Sequence, residues 1–214
     1  MKKSYEKDLE AGRILVYGVA GNEEILQRIG AIYTPERIDQ GIGLYQTAKA
    51  TLNKQKKAKI EATQSTRQFN EIQKSIHEQL VRIRKAGRYF FRSQVELREA
   101  LALTKEIPTS YATWKALVQE TISAISKQEM IQTQFTLTGI TPEKVSQLQQ
   151  SMEQLDVMKL QIEKAGGVAQ QATVAKKESY EAFMAYCIDL RACLDLFYEG
   201  NERQKLEEVG IVVK

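Results

Sequence analysis

Two hundred and fourteen residues, 43% hydrophobic and 27% charged, suffice to bury a sizeable core as one domain or as two small ones. A net charge of +4 is too small to imply a polyanionic partner, and no apolar run approaches the ~18 residues of a membrane span. Three prolines and an abundance of Gln, Lys, Glu and Ala suit long helices, while alternating valine- or isoleucine-rich runs with hairpin turns between them are missing, so no sheet is expected.

Lys2 and Lys3 are followed by Glu6, Asp8 and Glu10 before a short apolar run from Ile14 to Ala20. That is the pattern of neither a signal peptide nor a spanning helix, and the expected compartment is cytoplasmic. Residues 4–17 read as an amphipathic helix with Tyr5, Leu9 and Val16 on one side, broken by Gly18 and Gly21. Asn22 then caps a short helix with Glu23 and Glu24 in its first turn. It ends at Gly30 in the manner of a Schellman stop, with Leu26 at C3 and Ala31 at C″. A similar segment closes the sequence, from Gly200-Asn201-Glu202 to Gly210, with Leu206 and Ile211 as the apolar pair. Ile211 to Lys214 are expected to dock as a short extended tail.

Tyr33-Thr34-Pro35-Glu36 and Ile140-Thr141-Pro142-Glu143 are two versions of one helix start, half the chain length apart (142 − 35 = 107). Thr is the N-cap, Pro takes N1 where its missing N–H is no loss, and Glu at N2 faces the positive end of the dipole. Tyr33 with Ile38, and Ile140 with Val145, form a hydrophobic staple at each start.

After Pro35 the apolar residues fall at Ile38, Ile42, Tyr45, Ala48 and Leu52, and return as Phe69, Ile72, Ile76, Leu80, Ile83, Gly87 and Phe90. Spacings of three and four argue for helix with a narrow, coiled-coil-like seam. Between them, residues 53–68 are polar and carry Lys54, Lys56, Lys57 and Lys59. This interval is either the tip of a helical hairpin or the middle of one helix long enough to leave its partners. A hairpin buries more surface and is the expectation.

Pro108-Thr109-Ser110 marks the next boundary, with Thr109 or Ser110 as cap. Tyr111, Trp114, Val118, Ile122 and Ile125 continue at helical spacing, and that helix stops near Phe135. The second long segment runs Val145, Leu148, Met152, Leu155, Met158 and Ile162, breaks at Gly166-Gly167, and resumes through Phe183, Cys187, Leu190, Leu194 and Phe197. Shifted by 107, those last five positions are Ile76, Leu80, Ile83, Gly87 and Phe90, and Gly166-Gly167 fall opposite Lys59-Ile60.

The fold expected is therefore all-α: an elongated antiparallel helical bundle built from two tandem copies of a helical-hairpin unit. Residues 1–107 form one repeat (leader 1–34, hairpin 35–107) and residues 108–214 the other (leader 108–141, hairpin 142–214), packed as one domain. The halves differ in sign, 20 Lys/Arg against 13 Asp/Glu in the first and 11 against 14 in the second; drift of solvated faces after duplication is the favoured reading, and attraction of the halves within one chain or between chains is the alternative.

Residues in catalytic or metal-binding patterns are few. The lone His77 sits beside the apolar stripe: one histidine excludes a di-iron site with two Glu-x-x-His units, the usual zinc sites lack ligands, and no convincing Ser-His-Asp or Cys-His set forms, since His77 would be its only imidazole base. Neither a metal nor a cofactor is expected, and the carboxylates read as solvated helix faces. Cys187 and Cys193 lie about 240° apart around a helix and read as free thiols in a core, which suits a reducing compartment. Gly18 and Gly21 lack the Gly-Lys-Ser/Thr ending of a phosphate loop.

The sharpest candidate is Arg84, Arg88 and Arg92, recurring every four residues beside Tyr89, with Lys54, Lys56, Lys57 and Lys59 as a second basic cluster. Glu78, Glu96 and Glu99 flank the arginines and are placed to pair with them. The reading adopted is a non-enzymatic structural or interaction protein, a homo-oligomer or a self-associating subunit or adaptor of a larger assembly, using this candidate interaction face toward protein partners. The alternative is a nucleic-acid-binding helical protein using residues 82–92 and 54–59. A membrane-active helical hairpin ranks below both, because 53–68 is lysine-rich and Gly166-Gly167 lie between Lys164 and Lys176.

Overall fold

The computed structural model describes residues 4–212, which form eight helices and no strand. In chain order these are α1 (Tyr5–Ala20), α2 (Glu23–Ile29), α3 (Pro35–Phe90), α4 (Val95–Ala100), α5 (Tyr111–Lys127), α6 (Glu129–Thr136), α7 (Pro142–Phe197) and a 3-10 helix, Gly200–Val209. The all-α class is thus shown.

Both long helices begin at the expected proline. At the first start the Thr34 hydroxyl accepts the Arg37 N–H at 3.4 Å, and the buried pairs Tyr33–Ile38 and Ile140–Val145 flank the two helix starts. The Thr34 hydroxyl and the local backbone N–H hold the Glu36 carboxyl below its ordinary range, and Thr141 acts likewise on Glu143. These are the anionic groups that a helix N-terminus favours.

The expected hairpins do not form. Residues 53–68 lie inside α3 and Gly166-Gly167 inside α7, each helix being 56 residues without interruption. The polar interval is rich in Ala, Lys, Gln and Glu, which favour helix wherever they stand. Its seam narrows to Gln55 and Ala58 instead of vanishing. In α7 an added Cβ at Gly166 or Gly167 would meet nothing within 4 Å, so no packing demand placed the glycines there. Two glycines weaken a helix by about 1 kcal/mol each, which the surrounding turns absorb.

Other boundaries shift for local reasons. α1 continues through Gly18, where an added Cβ would come within 3.0 Å of Val209, so this glycine admits close packing of the 3-10 helix. Gly30 is right-handed (φ −59°) and not a Schellman residue: Ala31 is exposed, and the Tyr33 N–H donates to the Ile29 carbonyl. Gly210 does make the stop, at φ 78°, with the Ile211 N–H donating to Leu206 O at 3.0 Å over buried Leu206. Of the expected tail, Ile211 packs on the core and Val212 is exposed, while Val213 and Lys214 lie outside the described residues. α3 ends at Phe90, short of Ile107, and the helix from Ser110 toward Phe135 is divided at Gln128.

The chain forms two compact units that do not coincide with its sequence halves. The first holds the described residues up to Glu61 and from Gly166 onward: α1, α2, the start of α3, the end of α7 and the 3-10 helix. Its core joins Leu15, Val16, Ile25, Ile29, Ile38 and Tyr45 to Phe183, Leu190, Leu194, Tyr198 and Leu206. Here α3 and α7 run antiparallel, Arg37 meeting Asp189 at 2.6 Å and the Thr51 hydroxyl meeting that of Ser179 at 2.6 Å.

The second unit holds residues 62–165: the rest of α3, α4, α5, α6 and the first part of α7. Its core joins Ile76, Leu80, Ile83 and Phe91 to Trp114, Val118, Ile131, Phe135, Val145, Leu148 and Leu155. The two stripes 107 residues apart, Ile76-Leu80-Ile83 and Phe183-Cys187-Leu190, therefore belong to separate cores.

Candidate interaction face

The basic stretch at the end of α3 lies in the second unit, and each residue's place follows from the turn of the helix. Every fourth residue advances about 40°, so a line of arginines at this spacing drifts away from the core stripe. Arg84, next to Ile83 and one turn after Leu80, is still at the core's edge and is only 2% exposed, whereas Lys85, Arg88, Tyr89 and Arg92 are exposed.

Arg84 therefore leaves the expected face. Its guanidinium donates to the carbonyls of Ala102 (2.8 Å), Leu103 (3.4 Å) and Lys105, holding the loop after α4. Ala102 there adopts φ 51°, the left-handed region that side chains disfavour. Burial, and secondarily the Arg88 charge, lowers the Arg84 pKa from its ordinary value. Gly87 lets this loop approach, since an added Cβ would lie 3.0 Å from Leu103.

Lys85 and Arg88 line an open groove of about 510 Å³ with Val81, Thr104, Lys105 and Glu106. Lys105 is bound to Glu120 at 2.9 Å, and Arg82 donates to Thr138 O at 2.8 Å. Lys85, Arg88 and Arg92 make no ion pair among the described residues, and the flanking Glu78 is bridged to Lys74 instead.

Lys54, Lys56, Lys57 and Lys59 are exposed and belong to the first unit. Lys56 bonds Glu6 of α1, lowering the Glu6 carboxyl pKa. The single histidine, His77, is exposed. Cys187 and Cys193 are buried free thiols, Cys187 pushed up to about 11 by burial. Among the described residues, no group of three or more His, Cys, Asp or Glu is placed to hold a metal ion, and no helix is long and apolar enough to cross a membrane.

A face on α7 escapes a reading based on charge clusters. Val81 (44% exposed) and Tyr89 (72%) on α3 stand 107 residues before Ile188 (66%) and Leu196 (72%), at the end of α7 in the first unit. The 107-residue spacing of the two Thr-Pro-Glu helix starts is the signal that locates them. No protein-family model, curated protein or solved structure matches the chain.

Proposed function

We propose that this chain is a non-enzymatic interaction protein, a self-associating subunit or adaptor of a larger cytoplasmic assembly, built by duplication of a helical unit half its length. The duplication reading rests on the element map. α5, α6 and α7 follow α1, α2 and α3 in the same order, α3 and α7 begin half a chain length apart and are 56 residues long each, and α4 is matched by the 3-10 helix. The pairings recur too: α1 packs on α2 and the 3-10 helix, and α5 on α6 and α4. Each unit then combines the leader and helix start of one repeat with the helix end and short helix of the other.

The observation that carries the functional reading is the pair of exposed apolar positions kept in both repeats, Val81 with Ile188 and Tyr89 with Leu196. Solvated surface drifts after a duplication. Large apolar side chains left in water at equivalent positions mark contact surface.

Light-scattering mass on a sizing column, at low and high salt with the ultraviolet absorbance ratio recorded, tests this reading. A defined multimer free of nucleic acid is the expected result. Lys85, Arg88 and Arg92, which make no ion pair among the described residues, around exposed Tyr89 favour nucleic acid as the second reading. A monomer carrying nucleic acid that high salt strips away would put that reading in place of the first.

A further inference from the structure

We infer that the exposed face at the end of α3 in one copy of the chain docks on the exposed face at the end of α7 in another copy, an assignment that rests on the self-association reading above. The two faces correspond position by position under the shift that relates the repeats. Their apolar members are kept, Val81 against Ile188 and Tyr89 against Leu196, but their charges are opposite. Arg88 becomes Asp195 and Arg92 becomes Glu199, while Lys85 becomes Ala192.

Each set occupies the same arc. Taking Val81 as origin, Arg88, Lys85 and Tyr89 fall within about 100° on the helix surface, and Ile188, Asp195, Ala192 and Leu196 repeat that arc. Arg92 and Glu199 each stand just past their helix end. All of these residues are exposed, Val81 bordering the groove. Arg88, Arg92 and Glu199 make no ion pair among the described residues, and Asp195 is shared with the half-exposed Arg203 at 2.7 Å.

The charge pattern chooses the occupant and the mode. A basic face against its own copy, or an acidic face against its own copy, places like charges together. The complementary arrangement is basic on acidic, a heterologous contact between copies. Exposed ion pairs contribute little by themselves, so burial of Tyr89 and Leu196 supplies the attraction and the charges supply orientation.

Charge reversal separates the outcomes. The double variants Arg88→Asp with Arg92→Glu, and Asp195→Arg with Glu199→Arg, are each expected to raise the low-salt dissociation constant about tenfold or more. The chain carrying all four changes, and an equal mixture of the two double variants, are expected to regain association. Unchanged helicity by circular dichroism accompanies each result. Wild-type association that neither reversal weakens, or a fourfold variant that stays dissociated, overturns the face assignment and leaves self-association standing. Wild-type protein that stays monomeric at low salt overturns both. Should loss of the Arg203 partner unfold the acidic-face variant, Tyr89→Ser and Leu196→Ser carry the test, and normal association in both overturns the assignment.

Discussion

Arg84 shows how a charged side chain becomes part of a core. Its cation is buried without a carboxylate, and the charge is met by three backbone carbonyls of the Ala102–Lys105 loop. Removing it takes the guanidinium donor from the Leu103 and Lys105 carbonyls and leaves Ala102 O only the Lys105 N–H at 3.3 Å, so Arg84→Ala is expected to lose about 3 kcal/mol of stability in urea titration, with Arg84→Lys recovering part. Arg88→Ala, on an exposed residue, is expected to change stability by less than about 0.5 kcal/mol. Tyr180 and Tyr186 hold their protons up to about 12, chiefly through burial, and Cys187 up to about 11. The folded state binds these protons more tightly than the unfolded chain, whose tyrosines titrate near 10 and cysteines near 9. Their contribution is complete below those unfolded values and is lost as pH rises through about 11 and 12. Thermal melts are therefore expected to fall over that alkaline window, with tyrosinate absorbance appearing as the fold is lost.

At the scale of the helix, what counts is the difference between exposure and backbone conformation. Thr34-Pro35 and Thr141-Pro142 are legible as helix starts because capping is local: the groups that satisfy the first N–H donors stand within a few residues of them. The polar interval at 53–68 is legible as exposed, and Lys54, Lys57 and Ile60 are exposed. It is not a turn, because polarity reports contact with water and not the path of the chain. Gly166-Gly167 mislead for a related reason, since glycine permits a break without requiring one. Both sit in helix with space where a Cβ would go, so Gly166→Ala and Gly167→Ala are each expected to stabilise α7 by about 0.5–1 kcal/mol, read as a higher melting temperature. The buried role of Arg84 is readable from its place beside Ile83 once the arginine line is followed residue by residue around the helix.

For the whole molecule, the separate cores set the expected response to damage. Ile83 and Leu190 lie 107 residues apart and are both buried, yet they serve different units. An Asp at either site buries a charge without a partner, which costs several kcal/mol. Ile83→Asp is expected to strip hydrogen-exchange protection first from residues 62–165, and Leu190→Asp first from the other unit. Simultaneous loss across both units in either variant would show that the cores unfold as one. The opposite signs of the two halves, read from composition, find part of their use inside the chain. Arg28 pairs with Glu202, Arg37 with Asp189 and Lys105 with Glu120, in each case a base of the first half with an acid of the second. Lys205 with Glu24 runs the other way. Half-membership is thus a poor guide to packing, because each unit draws on both halves.

That division of the chain has a consequence for its synthesis. The unit made of residues 62–165 has all its parts as soon as the first half of α7 has left the ribosome. α1 and α2 emerge earlier, but the residues that cover them, from Phe183 to Leu206, are translated only after the whole of that unit. The two helices therefore wait with their apolar side open while it is made, a period in which nascent chains depend on chaperones and are vulnerable to wrong pairing. The unit of residues 62–165 thus matures first, and α1 and α2 mature with the end of α7.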